Sequence, residues 1–372
     1  MLTVNKKISQ ARVQFNPDFY KRAYQQYKDG VFTDLIALMK ESAIDSYVAG
    51  CLASRRSGFQ RDWTIKPFDP DNAADQERAL FIQNMFENIN SRLFFKKIHE
   101  ATTYIYSVID FEWEVINGLQ VITGFKWYDQ KYFKYDQDGI LKVDWGKSLR
   151  PIPETTLVCE SKETPIMLPV LRDFILKNFG LESWASFIEA FGEGILIGKY
   201  PPGATADFKQ ELEDGLDAIA RSSRGTMPQG TEIDIVETNR TTGDHKDFTQ
   251  VCNEGIAISL LGHANAVQDS SGMRIGENLA PFKVRRDLAL DDMYFIEPCI
   301  NKAIHIIYDQ NYADARYPLF RMDKSEPINI TERLDVLDTA FNQGLIIDPD
   351  EYRKLGLKVQ DDQEPLQKDS IL

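Results

Sequence analysis

The chain has 372 residues, 43% of them hydrophobic and 11% aromatic, which is enough apolar side chain to fill two or three domains and too much for a disordered protein. A formal net charge of -14 and an isoelectric point near 4.9 argue against a surface that grips nucleic acid by neutralising phosphates, though not against a passage that repels it. Four scattered cysteines (Cys51, Cys159, Cys252, Cys299) form no CxxC pair and read as reduced thiols. No secretion signal or membrane span is expected either, so the sequence reads as that of a soluble protein made in a cytoplasm.

Residues 1–30 are polar and lean basic, with Phe15, Phe19, Tyr24 and Tyr27 among them. They read as an arm followed by a helical segment suited to packing on a neighbour. One helix is expected over 32–52, anchored by Leu35, Leu38, Met39, Ile44, Val48 and Leu52, and a strand comes next on Trp63 and Ile65. Further helices are expected over 76–89, on Leu80, Met85 and Ile89, and over 94–106. The segment SVIDFEWEVING then pairs with LQVITGFKWY as a hairpin turned at Asn117-Gly118. Strands near 132–135, turned at Asp138-Gly139, and near 156–159 complete an α+β domain.

The stretch LRDFILKNFGLESWASFIEAFGEGILIGKYPP organises the second half of the chain. Trp184, Phe187, Ile188 and Phe191 have the spacing of an amphipathic helix. Gly192 and Gly194 stop it, Ile195 to Tyr200 reads as a strand, and Pro201-Pro202 closes the unit. A helix over 206–220, capped by Thr205, precedes the half-exposed strand TEIDIVET. A helix over 248–261 ends at Gly262, and HANAVQDSSGMRIG is a long loop. A helical region over 284–311 is broken or bent at Pro298, and a last helix is capped by Thr331, carries Leu334, Leu337 and Phe341, and ends at Gly344. Residues 360–372 read as a loose tail.

No catalytic constellation emerges. His99, His245, His263 and His305 lack any metal-binding spacing and read as surface or packing residues; only His263, in the long loop, is set to touch something passing. The glycines of GEGILIG fit neither a dinucleotide fingerprint nor a nucleotide loop, and Asp287, Asp291 and Asp292 read as a solvated acidic face. Arg55, Arg56 and Arg61 form one basic cluster, and Arg285 and Arg286 another. Either suits DNA or a carboxylate on another subunit, and the acidic overall charge favours subunit contacts.

The run FILKNFGLESWASFIEAFGEGILIGKYPPGAT resembles the portal proteins of Mu-type phages and prophages. In order after it come GTEIDIVET, a helix ending in SLLG, a loop with DSSG, the charged helix VRRDLALDDMYFIEPCINKAI, and LDTAFNQGLIIDPDEYRKLGL. Upstream, IDSYVAGCLASRRSGFQRDWTIKP looks like the family's opening helix and strand, so the resemblance covers residues 30–357. Two departures stand out: FGEG lies where the family often carries proline, and the chain stops soon after GLKVQDD, so a short crown is expected.

The resemblance implies a non-enzymatic ring, usually of twelve copies, at one capsid vertex. Such rings nucleate head assembly, dock the large terminase, pass double-stranded DNA non-specifically, and meet capsid, scaffold and head–tail adaptor proteins; no cofactor is implied. It also implies an α+β portal fold: an arm at 1–30, a wing at 31–165, a stem helix at 166–191 and a clip at 192–240. A return helix and tunnel loop occupy 241–280, a C-terminal helical region of wing or short crown 281–357, and a tail 358–372. His263, Asn265, Gln268 and Arg274 become candidates for the channel wall, and Arg55, Arg56, Arg285 and Arg286 for subunit contacts. The competing reading is a head–tail connector that binds such a ring.

Overall fold

The computed structural model describes residues 2–8, 13–191, 195–222, 229–236, 243–264, 280–325, 330–344 and 348. Its first residues lie on the chain's own body. Leu2 is buried, its N–H donates to Asp110 Oδ2 at 2.7 Å, and its carbonyl accepts from the Tyr128 hydroxyl at 2.9 Å. Helix α1 (Pro17–Lys28) starts at Asn16, whose side-chain oxygen accepts from Phe19 N at 2.8 Å, with Pro17 where a helix needs no N–H. Phe19 and Ala23 face inward and Tyr20, Tyr24 and Tyr27 stack in sequence, so a segment read as packing on a neighbour packs within its own subunit.

The single helix expected over 32–52 is two, α2 (Thr33–Ser42) and α3 (Ser46–Gly58). Asp45 breaks them apart because its carboxylate caps α3, accepting from Tyr47 N at 3.0 Å and Val48 N at 3.1 Å. Ile44, read as an anchor, falls in the break and is 74% exposed. Strand β1 (Trp63–Lys66) leads to α4 (Ala73–Asn88), which turns Ala79, Ile82, Met85 and Phe86 inward and leaves Leu80, another expected anchor, outside. Helix α5 (Ser91–Tyr104) is capped by Asn90, whose side chain accepts from Leu93 N at 3.0 Å.

Strands β2 (Tyr106–Ile116) and β3 (Leu119–Tyr128) form the expected hairpin. Asn117 and Gly118 take φ of 51° and 80°, the left-handed pair that such a two-residue turn requires. Next come β4 (Phe133–Tyr135), β5 (Leu141–Asp144), β6 (Leu149–Arg150) and β7 (Thr156–Glu160), giving antiparallel sheets of order β3-β2-β7 and β4-β5-β6. Strand β2 is the wall between two hydrophobic cores. Tyr106 and Val108 face the core built from α1, α2, α3 and the next helix, whereas Ile109 and Phe111 face the other.

That next helix, α6 (Met167–Phe191), runs into β8 (Ile195–Lys199), α7 (Ala206–Ser222) and β9 (Glu232–Val236), where β8 and β9 pair antiparallel. Thr205 Oγ1 accepts from Phe208 N at 3.3 Å, as its capping role requires. Helix α8 (Gly243–Leu261) returns alongside α6, and α9 (Ala280–Asp309) comes after it, continuing through Pro298. It fills the second core with Met293, Ile296, Ile300, Ile304 and Tyr308. Strand β10 (Leu319–Met322) pairs antiparallel with β1, Trp63 opposite Met322, and so closes the body of residues 1–322. Residues 323–372 form a separate unit. Within it α10 (Ile330–Asn342) begins one residue before Thr331, the expected cap, and Gly344 ends the segment at φ 81°. Residues 360–372, read as a tail, lie outside the described residues.

Candidate subunit and nucleic-acid interface

The α6–α8 pair carries an exposed apolar face. Val170, Leu171, Phe174 and Ile175 of α6 pack inward against Ile256, Leu260 and Leu261 of α8. Lys177 of α6 is buried and donates to both carboxylate oxygens of Asp45 at the start of α3, at 3.1 and 2.9 Å. Gly180 allows the close approach of the pair, since a Cβ there would stand 2.7 Å from Phe248 Cε1. On the outside, Leu176 and Phe179 of α6 and Phe248, Val251 and Ile258 of α8 are all exposed. Scattered exposed apolar residues are ordinary, but five on two adjoining helices form a face for another protein surface.

The small lobe after α6 has the opposite character. Helix α7 tucks Leu212 and Leu216 against Gly198 of β8 and leaves Asp207, Glu211, Glu213, Asp214 and Asp217 exposed. A phosphate backbone approaching this surface meets like charge.

The two arginine clusters separate in space and role. Arg55 is buried: Nε and Nη2 donate to Asp292 Oδ2 and Oδ1, both at 2.9 Å, and Nη1 donates to the Leu260 carbonyl at 3.2 Å. Read as a subunit contact, it instead ties α3 to α9 and to the end of α8. Asp292, read as part of a solvated acidic face, is its buried partner, because α9 lies with that side against α3 and α5. His99 Nε2 of α5 is 3.2 Å from Asp292 Oδ1. Burial holds the His99 imidazole below its usual pKa, against the pull of Asp292, so it stays neutral at pH 7. For Asp292, burial acts to raise the carboxyl, but the hydrogen bonds and charges of His99 and Arg55 outweigh it and keep the group ionised.

Arg56, one position on, lines a cavity of about 490 Å³ between α2, α3 and α5. Arg285 on α9 is exposed and donates to the Ser54 carbonyl at 3.1 Å and to Ser57 Oγ at 3.0 Å, so it braces α3; Arg286 beside it is half-buried. His263 is half-buried just past α8, with Nδ1 shielded from solvent and lacking a hydrogen-bond partner among the described residues. The chain can turn there because Gly262 adopts φ 77°. Asn265, Gln268 and Arg274, the other candidate channel residues, lie outside the described residues, as do Gly192 and Gly194. Among the described residues there is no cluster of three metal-ligating side chains, and no helix is long and apolar enough to cross a membrane.

Sequence reasoning did not single out Asp292 or Lys177 as buried charges, since both residue types ordinarily lie at the surface, and it left His99 between a surface and a packing role. The signal for Asp292 was one of phase: it lies three residues after Ala289 and four before Ile296, on the apolar stripe of α9.

Residues 36–357 match the family model described as the portal protein of Mu bacteriophage. The chain belongs to that family. Among its relatives, the Mu-like prophage FluMu protein gp29 of Haemophilus influenzae is 28% identical over 213 residues, covering 51% of this chain and 40% of that protein. The portal protein of Escherichia phage Mu is 23% identical over 335 residues, covering 83% of this chain and 62% of that protein. The chain therefore spans about two fifths to three fifths of these family relatives. Its α+β fold is shared with a chain from the virion of a native gene transfer agent particle, at TM-score 0.58 and 9% identity over 92% of this chain and 99% of that one. A chain from the neck of such a particle, computed with C12 symmetry, gives 0.54 at 7% identity over 95% and 98%.

Proposed function

We propose that this chain is a portal subunit. Copies close into a ring at one capsid vertex, and double-stranded DNA passes through the hole during packaging and ejection without sequence-specific binding. The observation that carries this reading is the family match over residues 36–357, which runs from α2 to beyond α10. The C12 symmetry of the related neck supports a copy number of about twelve. Residues 31–165 are the wing, 166–191 the stem and 192–240 the clip. Residues 241–280 supply the return helix and tunnel loop, 281–357 the upper wing or short crown, and 1–30 and 358–372 the terminal segments. The subunit is made in the host cytoplasm and resides in the virion.

The mechanism is geometric and electrostatic. A closed ring needs two different faces of each subunit to meet, and the apolar face of α6 and α8 is one of them. Arg56, Arg285 and Arg286 lie on further contact surfaces. DNA passes an acidic wall, of which the outer face of α7 is one part, so no phosphate contact is tight enough to stall it. His263, Asn265, Gln268 and Arg274 meet the DNA at the narrowest point. Large terminase, capsid and scaffold proteins and the head–tail adaptor dock on the ring, and no catalytic step or cofactor is assigned to the subunit.

The test is a Phe179→Asp, Val251→Asp double variant, changed only at exposed positions. It keeps wild-type circular dichroism and loses the high-mass species in light scattering. A double variant that assembles as well as wild type refutes the α6–α8 contact.

A further inference from the structure

The cavity beside Arg56 has a composition at odds with the chain around it. Three lining residues are cations (Lys40, Arg56 and Lys96) and none is an acid, in a chain with 57 acidic and 43 basic residues. Among the described residues, only Lys40 of the three has a close carboxylate, Asp129 at 2.9 Å. Lys96 is exposed and has no ion-pair partner among the described residues. Arg56 interacts with the Tyr104 hydroxyl through its charge and a side-chain hydrogen bond, while its Nε and Nη2 are shielded from solvent and have no hydrogen-bond acceptor among the described residues. Shielded guanidinium donors left unpaired are costly, and an arriving oxyanion would relieve the charge they share with Lys96. The remaining wall mixes polar Ser57, Gln60 and Tyr104 with apolar side chains, among them exposed Ile44 and Ala53.

We propose that this cavity receives an acidic side chain from a second copy of the chain, seated beside an apolar residue that lies on Ile44. The inference rests on the ring reading. Charge complementarity selects the partner: a copy with a net charge of -14 offers carboxylates over much of its surface, and a closing ring brings unlike faces together. Duplex DNA fits less well, because its phosphates line a continuous polar surface that has nothing to set on Ile44 and Ala53. The acid's carboxylate takes hydrogen bonds from the cations while its neighbour covers the apolar lip, so the contact fixes register as well as affinity.

The experiment uses the full chain with a photo-cross-linking benzoylphenylalanine in place of Ile44, a position so exposed that folding does not depend on it. Irradiated assemblies are digested and the joined peptides sequenced, using mixed isotope-labelled copies to separate links within a chain from links between chains. The expected product joins position 44 to an acidic segment of another copy. A Lys96→Glu variant at low salt raises the concentration needed for half-assembly about tenfold and leaves the circular dichroism unchanged. Assemblies that form normally but yield only links within one chain, or links to added DNA, overturn the cavity inference and leave the ring reading standing. A chain that stays monomeric with capsid and scaffold proteins present overturns both.

Discussion

Replacing Asp292 with asparagine removes one charge from the buried Arg55–Asp292 ion pair and leaves the side-chain volume almost unchanged. Arg55 is 8% exposed and Asp292 2%, and two hydrogen bonds of 2.9 Å join them, so the remaining guanidinium has no water to turn to. The new amide also points a donor at a donor. Breaking one side of a buried pair costs about 3–5 kcal/mol, against less than about 1 for an exposed pair such as Lys21–Asp18. With a urea dependence of about 3 kcal/mol per molar, the unfolding midpoint of Asp292→Asn falls by about 1–1.7 M. Replacing both partners, as Arg55→Met with Asp292→Leu, restores most of that, because neither charge is left stranded.

The pH dependence has a definite sign. His99 has a lowered pKa in the fold, so the unfolded chain binds the extra proton and stability falls as pH drops below about 6.5, by up to about 1.4 kcal/mol per unit. Asp292 is also lowered, and its contribution is lost further down, below about pH 3.9. His99→Gln flattens the first of these slopes. A midpoint shift below about 0.3 M for Asp292→Asn, or an Arg55→Met penalty that is the same with and without Asp292, refutes the account of this junction.

Three further outcomes are expected elsewhere in the chain. Gly262→Ala forces a side chain into φ 77° and its Cβ onto Val284 Cγ1, so thermal unfolding shows a loss of about 1–3 kcal/mol, and hydrogen exchange at the end of α8 quickens. Asn311→Ala removes the two bonds that hold the β3 end of the hairpin, Gln120 N to Oδ1 at 2.7 Å and Nδ2 to the Gln120 carbonyl at 2.9 Å. A loss of about 1–3 kcal/mol and faster exchange at Gln120 are expected, and an unchanged amide there contradicts the bracing role. Thiol titration at pH 8 modifies half-buried Cys299 first. Cys159 is held above its usual range by its hydrogen bond to Cys299 and by burial, and Cys51 is pushed up to about 11 by burial, so both react only on unfolding.

The elements legible in the sequence were those whose signals are local. Asn117-Gly118 between alternating strands specified a hairpin, the period over 184–191 marked the last turns of α6, and Gly262 marked the end of α8. Errors arose where a tertiary partner or a competing local bond decided the outcome. The periodicity over 32–52 runs on through Ala43–Asp45, yet Asp45 caps a new helix there and bonds to Lys177, a residue 132 positions away. Leu80 reads as an anchor on hydrophobicity alone, whereas α4 turns its small Ala79 inward. Asp292 looks like surface because its partners, Arg55 and His99, lie on two other helices far away in sequence. The candidate interface was harder still. Motifs gave the family, but which arginine faces inward and which lines the cavity depends on how α3, α5 and α9 pack together.

Imaging the purified chain end on, after light scattering has fixed its mass, tests the central claim most directly. The account predicts closed rings of about twelve copies with a central hole wide enough for duplex DNA. A chain that remains monomeric or dimeric at high concentration, with capsid and scaffold proteins present, contradicts it.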